Sequence, residues 1–74
     1  MDEIEVLTAA LTKAQARDLI AALDGRLTNV DGKPGRAVRA LDSLNLVNLS
    51  EREGSWSAHP SITGDSVAQA LLGW

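Results

Sequence analysis

The stretch Pro34–Leu49, PGRAVRALDSLNLVNL, determines the predicted fold. Its apolar residues Val38, Leu41 and Leu44 are spaced three apart, a pattern that predicts a helix over 34–44 with one buried side. Asn45 follows, and asparagine tolerates the left-handed backbone conformation in which many helices end. The next four residues, LVNL, have the composition of a β-strand. The stretch therefore predicts a short helix that passes directly into a strand. The helix residues expected to be buried are Ala37, Val38, Leu41 and Leu44.

The residues at the start of the chain predict a first short helix over 2–10. Apolar residues recur there at spacings of three and four, and acidic residues come first, where carboxylates interact favourably with the positive end of a helix dipole. A signal peptide begins with basic residues instead, and no apolar run approaches the roughly 20 residues of a membrane span. The sequence thus predicts a soluble, cytoplasmic protein with no membrane partner. The apolar residues are Ile4, Leu7 and Leu11, and the acidic ones are Asp2, Glu3 and Glu5.

A second helix is predicted over 12–24. Thr12 and Gln15 fit a capping box, in which the threonine hydroxyl accepts a hydrogen bond from the backbone three residues on and the glutamine side chain bonds back. The same threonine indicates a break between the first two helices. Gly25 follows as a left-handed stop. The stripe expected to be buried is Ala16, Leu19, Ile20 and Leu23.

The connector between this helix and the central stretch, GRLTNVDGKPG at 25–35, contains three glycines and one proline. This composition predicts turns rather than a helix. Leu27 and Val30 are candidates for a short strand, and the Asp-Gly pair at 31–32 is a turn signal. Pro34 suits the first turn of the next helix, because the N–H that proline lacks is not needed there.

Residues 46–59 predict an antiparallel hairpin after the central helix. The strand LVNL leads into a polar turn at 50–55, and WSAH then alternates large with small or polar side chains, as a returning strand does. Pro60 is expected to end this second strand. Trp56 is expected to lie in the core.

A closing helix is predicted after the hairpin, with Thr63 as its cap and Asp65 in its first turn. Tryptophan is over-represented at interface hot spots, so Trp74 is a candidate contact residue. We favour its folding back onto the core, because the sequence is short of large core residues. The apolar face expected for this helix is Val67, Ala70 and Leu71.

With this order of elements the chain resembles a winged-helix domain. The resemblance rests on LTKAQARDLIAAL at 11–23, GRAVRALDSLNLVNL at 35–49 and WSAHPSITGDSVAQALL at 56–72. It implies one α+β domain over 1–74, in which helices pack on a small antiparallel β-hairpin and the second helix of the helix-turn-helix is reduced or absent. Small proteins of this kind occur in actinobacterial phages and among bacterial regulators. The resemblance therefore implies a DNA-binding regulatory protein that acts in the cytoplasm, of the host cell if a phage encodes it.

Positive charge is concentrated between residues 26 and 39, where four basic residues and one acidic residue give a net +3 in a chain whose formal net charge is −3. In a winged helix the corresponding helix enters the major groove, where arginine pairs with guanine edges or phosphates. The resemblance implies that Arg36 and Arg39 face double-stranded DNA and that Lys33, Arg26 and Arg52 contact its backbone. The alternative interpretation is that these arginines only solubilise an exposed helix face.

The expected turn of the hairpin favours a different function. Glu51 and Glu53 flank Arg52 there, and a wing with a net negative charge repels phosphate. The alternative function is a protein–protein interaction module on the same scaffold, which binds a host protein through its acidic surface and Trp74. A homodimer is also expected, because a core built mainly from Leu, Ala, Val and Ile in 74 residues is small.

Enzymatic and metal-binding functions find no support in the sequence. The chain has no cysteine and one histidine, His59, so it lacks the ligands of a typical zinc site and the acid–base or nucleophile set of most catalytic sites. The glycine-rich segment at 31–35 lacks the length and the hydroxyl of a phosphate-binding loop. We expect a protein that is not an enzyme and takes no cofactor, with His59 as a structural histidine.

Overall fold

The computed structural model describes residues 2–73, which form four helices and a three-stranded antiparallel sheet. The α+β class expected from the sequence is therefore confirmed. None of the helices in this range has the length and hydropathy needed to cross a membrane. In chain order the elements are α1 Glu3–Ala10, α2 Lys13–Leu23, β1 Val30–Asp31, α3 Arg36–Ser43, β2 Val47–Arg52, β3 Ser55–Pro60 and α4 Ile62–Leu71.

The first two helices begin and end as their sequences predict. The Asp2 side chain accepts a hydrogen bond from the Ile4 N–H at the start of α1, at 2.7 Å. Both hydrogen bonds of the capping box between Thr12 and Gln15 are present, each 3.1 Å long. Because the backbone is extended at the α1 C-cap and at Thr12, the two helices are separate. Gly25 ends α2 with a φ of +74°.

The predicted stripe of α2 is only partly confirmed. Leu19 is fully buried, whereas Ala16, Ile20 and Leu23 are half-buried. Ala21 and Ala22, which lie outside that stripe, are buried as well. The reason is that α2 packs against α3, α4 and β3 rather than against one neighbour. Helix α2 is therefore a central element, and its small alanines allow this close approach.

The corner between α3 and β2 is a Schellman motif. Asn45 has a φ of +60°, and the N–H of Leu46 donates to the carbonyl of Leu41 at 2.9 Å. The Asn45 N–H donates to the carbonyl of Asp42 at 3.0 Å. The side chains of Leu41 and Leu46 are both fully buried, which supplies the apolar contact typical of this motif. The predicted passage from helix through asparagine into strand is confirmed.

Two details of the predicted central helix are wrong. The helix begins at Arg36 with Gly35 as its N-cap, so Pro34 precedes it as a buried residue of the connector. Leu44 is not buried but 43% exposed. Each step of three residues falls about 60° short of a full helical turn, so Leu44 lies about 120° away from Val38 on the helix surface. The core position beyond Leu41 is filled by Leu46 instead.

The hairpin has longer strands and a shorter turn than predicted. Strands β2 and β3 pair over six residues each, from Val47 opposite Pro60 to Arg52 opposite Ser55. The turn consists of two residues, Glu53 and Gly54, and Gly54 has a φ of +78° that favours glycine. Because of this tight turn, Glu51 and Arg52 belong to a strand and not to the polar loop expected at 50–55.

The sheet has one face toward the helices and one toward solvent. Strand β1 pairs with the other edge of β3, which gives the strand order β1-β3-β2. Paired residues of an antiparallel sheet project to the same side, and buried Val47, Trp56 and Ala58 mark the helix-facing side. The opposite face is polar, and β2 and β3 contribute to it Asn48, Ser50, Arg52, Ser55, Ser57 and His59.

Helix α4 closes the structure over the corner between α3 and β2. Its N-cap is Ser61, whose hydroxyl accepts from the Gly64 N–H at 2.9 Å and donates to the Asn45 carbonyl at 2.6 Å. The prediction that Thr63 caps this helix is wrong, since Thr63 lies inside the first turn. Trp56 lies in the core as predicted. The prediction for Trp74 concerns a residue outside the described range.

Candidate nucleic-acid interface

Three of the five basic residues predicted to bind DNA line an open groove of about 430 Å³. The groove lies where the connector, α3 and the turn end of the hairpin meet. Lys33, Arg39 and Arg52 line it together, from three different parts of the chain. All three side chains are exposed. The remaining lining residues are Gly32, Glu51, Gly54 and Ser55.

The floor of the groove is held in place by the sheet. Gly32 has a φ of +93°, which turns the connector away from β1, and its N–H donates to the Gly54 carbonyl at 3.1 Å. This hydrogen bond fixes the connector against the hairpin turn. Lys33 therefore follows directly after a constrained residue, next to the turn that joins β2 and β3.

Arg39 reaches the groove from the exposed side of α3 and forms an ion pair there. Its Nη2 lies 3.0 Å from Oε1 of Glu51, and the two side chains are 52% and 49% exposed. At such exposure water and salt screen the attraction, and pairs of this kind stabilise proteins by about 0–1 kcal/mol. The pair is weak enough for a stronger anion to compete for the guanidinium.

Arg36 lies on the same side of α3 as Arg39, one turn earlier, and is exposed. It does not line the groove but extends the positive surface along the helix. Among the side chains of residues 2–73 it has no ion-pair partner. Gly35, the N-cap of α3, provides no side-chain hydrogen bond to the first backbone N–H groups of the helix.

Arg26 lies apart from the other four predicted residues. It is in the turn after α2, and its Nη2 is 3.3 Å from Oδ2 of Asp24. It does not line the groove. Of the five basic residues predicted from the sequence, the structure therefore brings three together in the groove, places Arg36 beside them and leaves Arg26 in a separate local pair.

The charge of the groove is positive although the hairpin carries two glutamates. Three basic residues and one acidic residue, Glu51, are among those that line it. Arg52 does so from a register position on the solvent-facing side of the sheet, whereas Glu51 stands on the helix-facing side. Glu53 is in the two-residue turn and is not a lining residue. An open groove with several guanidinium and ammonium groups is suited to bind anions such as phosphates, because charge-assisted hydrogen bonds to phosphate oxygens are the strong ones.

Glu51 is the site residue that the sequence prediction placed wrongly. The sequence predicts a polar turn over 50–55, in which Glu51 is only one of several charged residues. A period-two pattern that continued from Val47 through Leu49 would have placed Glu51 on the helix-facing side of the strand. The observed register does so, because Glu51 pairs with buried Trp56. It therefore points toward α3, where Arg39 lies.

A second surface depression lies between α1 and α4. Its volume is about 290 Å³, and Ile4, Ala9 and Ala70 form its apolar part. Thr8 contributes a hydroxyl that already donates to the Ile4 carbonyl at 2.6 Å. Asp2 and Glu5 complete the lining as acidic residues. Neither α1 nor α4 contains a lysine or an arginine, so this end of the protein is acidic.

No group of three or more potential metal ligands occurs within residues 2–73. His59 is exposed on the solvent-facing side of the sheet, where it pairs with Asn48 across the strands. Comparisons with protein-family models, with curated proteins and with solved structures gave no match.

Proposed function

We propose that this protein is a small DNA-binding regulatory protein with a winged-helix-like domain. The observation that carries the proposal is the convergence of Lys33, Arg39 and Arg52 in one open groove beside the exposed side of α3. In a chain with a formal net charge of −3, positive charge gathered on one surface is what binding to a phosphate backbone requires.

The order of elements supports the winged-helix part of the proposal. A helix, a short strand, a second helix and a hairpin follow one another in the chain, and the hairpin comes directly after the helix that carries the arginines. In this proposal α3 is the recognition helix and the two strands β2 and β3 form the wing. The connector at 25–35 contains turns and β1 but no helix, so α3 would be presented without the usual preceding helix.

The dimensions of α3 fit a short contact with DNA. An α-helix with its side chains is about 10–12 Å in diameter, so the major groove of DNA, about 12 Å wide, admits it. The eight residues of α3 extend about 12 Å along the helix axis. Arg36 and Arg39 are one turn apart on the exposed side and are the candidates for base edges or phosphates. Lys33 and Arg52 lie at the side of α3 and are the candidates for backbone contacts.

Binding of the protein to a fluorescent duplex of mixed sequence, about 20 base pairs long, tests the proposal by anisotropy. With four phosphate contacts, affinity is expected to fall about 100-fold between about 50 and 200 mM salt. The double variant Arg36→Ala and Arg39→Ala is expected to abolish binding or, where binding persists, to lower the slope of log affinity against log salt by about 2.

The matched control is the double variant Lys13→Ala and Arg17→Ala. It removes the same charge from exposed positions of α2 that do not line the groove. It is expected to change affinity by less than about three-fold, through net charge alone. Equal losses of affinity in the two double variants would show that the protein is attracted to DNA by its charge without a specific site. If the unmodified protein does not bind the duplex at low salt, the proposal is rejected.

The depression between α1 and α4 supports a second candidate function, binding of a protein partner. Its apolar floor and the acidic Asp2 and Glu5 suit one kind of occupant, an amphipathic segment with aliphatic side chains flanked by lysine or arginine. This is the protein-interaction alternative on the same scaffold. It uses the end of the protein that carries the acidic residues and leaves the basic groove free.

A helical peptide of leucine and lysine is a suitable probe for this second candidate. In NMR titrations the amide signals of Thr8, Ala9 and Ala70 are expected to shift. Ala9→Leu should fill the depression and weaken binding about ten-fold, because an aliphatic side chain of the peptide loses its buried position. Ala10→Leu adds the same side chain to the same helix outside the depression and should leave affinity within about two-fold. Similar effects of both substitutions would exclude this binding site.

A further inference from the structure

We propose that Glu51 is a built-in competitor of DNA phosphate for Arg39, which restrains binding by the basic groove until a duplex displaces it. The inference rests on the proposed DNA-binding function and concerns the control of that same site. Its basis is the contact between Arg39 Nη2 and Glu51 Oε1, 3.0 Å long, within a groove that Lys33 and Arg52 also line.

The position of the carboxylate follows from the strand register. Glu51 is paired with Trp56, and Trp56 is buried against the helices, so the glutamate projects to the same side as the core residues of the sheet. Arg39 projects from α3 toward that edge. The two side chains therefore meet because of the fold, and a carboxylate oxygen occupies the position on the guanidinium where a phosphate oxygen would bind.

The exposure of the pair limits what it can do. An exposed ion pair changes an equilibrium by about five-fold at most, because water and salt screen it and both side chains keep rotamer freedom. Glu51 therefore cannot block a duplex that makes several phosphate contacts at once. It can lower the affinity of Arg39 for single anions and for DNA that makes few contacts. Tight binding then requires a duplex that contacts all the basic residues of the interface at once.

A purely structural role for the pair makes a different prediction. If the contact mainly tied the hairpin to α3, its loss would lower the stability of the fold and weaken any binding. If Glu51 instead oriented Arg39 for a base edge, its loss would also weaken binding. Only competition predicts that removing this carboxylate tightens DNA binding more than loss of another negative charge from the same hairpin does.

The test compares Glu51→Gln with Glu53→Gln by the anisotropy assay at about 100 mM salt. Both substitutions remove one negative charge from the same hairpin, but only Glu51 contacts Arg39. Loss of the charge alone is expected to tighten binding about two-fold in each variant, and release of Arg39 adds up to about five-fold. Glu51→Gln is therefore expected to bind up to about ten-fold more tightly than the unmodified protein.

The same substitutions in an Arg39→Ala background separate competition from general charge effects. There Glu51→Gln is expected to gain only about two-fold, as Glu53→Gln does, because the competed guanidinium is gone. Circular dichroism melts of all variants check that the fold is intact.

The outcomes distinguish failure of this inference from failure of the proposed function. If the unmodified protein binds DNA and Glu51→Gln binds no more tightly than Glu53→Gln, or more weakly than the unmodified protein, the competitor role is wrong and DNA binding stands. If the unmodified protein and both variants fail to bind at low salt, the DNA-binding function itself is wrong and the competitor role falls with it.

Discussion

Gly64→Ala is expected to lower the free energy of unfolding by about 3 kcal/mol, a large share of the total for a domain of this size. Gly64 is in the first turn of α4, and a Cβ built on it overlaps the carbonyl oxygen of Leu46 and lies 2.7 Å from the carbonyl carbon. Both of these atoms are backbone, so a change of rotamer cannot relieve the overlap. Helix α4 must move away from the corner between α3 and β2.

That movement would also break hydrogen bonds that join α4 to the corner. The Ser61 N–H donates to the Leu46 carbonyl at 3.0 Å, and the Ser61 hydroxyl donates to the Asn45 carbonyl at 2.6 Å. Helix propensity alone predicts the opposite sign, since alanine is favoured over glycine by up to about 1 kcal/mol inside a helix. The sign of the measured change therefore decides whether close packing or propensity dominates at Gly64.

Urea denaturation followed by circular dichroism measures this change. Gly35→Ala is the control, because Gly35 has a φ of −78° and no atom lies within 4 Å of a Cβ built there. The control is expected to stay within about 1 kcal/mol of the unmodified protein, since only the weaker capping by alanine matters. A Gly64→Ala protein as stable as the control would mean that α4 does not approach the Leu46 backbone as closely as described.

Leu41→Ala is expected to lower the free energy of unfolding by about 2–5 kcal/mol. Leu41 is fully buried and contributes both its side chain to the core and its carbonyl to the Schellman motif that ends α3. Removing most of the side chain loses apolar burial and leaves a cavity among close-packed neighbours. The backbone hydrogen bond to Leu46 survives, so the loss measures packing.

Leu44→Ala is the matched control for this second prediction. Leu44 was placed on the same buried stripe by its spacing, yet its side chain is 43% exposed. Its truncation is expected to cost less than about 1 kcal/mol. Denaturation curves for the two variants give the comparison directly. Equal losses at Leu41 and Leu44 would indicate that α3 is rotated on the core relative to the structure described.

Local signals in the sequence predicted the boundaries of several elements. The capping box at Thr12, the left-handed Gly25 and the left-handed Asn45 each depend on a residue type with a particular backbone or hydrogen-bonding property, and all three are present in the structure. The N-cap of α4 is the exception, because two residues near its start have a side chain that can cap a helix. Thr63 and Ser61 are both competent caps, and Ser61 is favoured by its hydrogen bonds to the Leu46 and Asn45 carbonyls.

The basic residues of the candidate interface can be identified from the sequence, but their positions relative to one another cannot. The concentration of basic residues around 26–39 is visible in the sequence, and three of the five predicted cations do line one groove. The separate pair of Arg26 with Asp24 depends on how the turn after α2 is folded. The Arg39–Glu51 pair depends on the register of β2, which a two-residue turn sets and which a longer loop would have changed.

The sequence by itself determined the helix–asparagine–strand passage at 34–49, because left-handed Asn45 and the buried pair Leu41 and Leu46 are local requirements of one motif. Tertiary structure decided what surrounds it. Gly64 is required because another helix packs on the Leu46 backbone. Arg39 meets Glu51 because α3 and β2 are held side by side. Such contacts join residues far apart in the chain, and no local pattern encodes them.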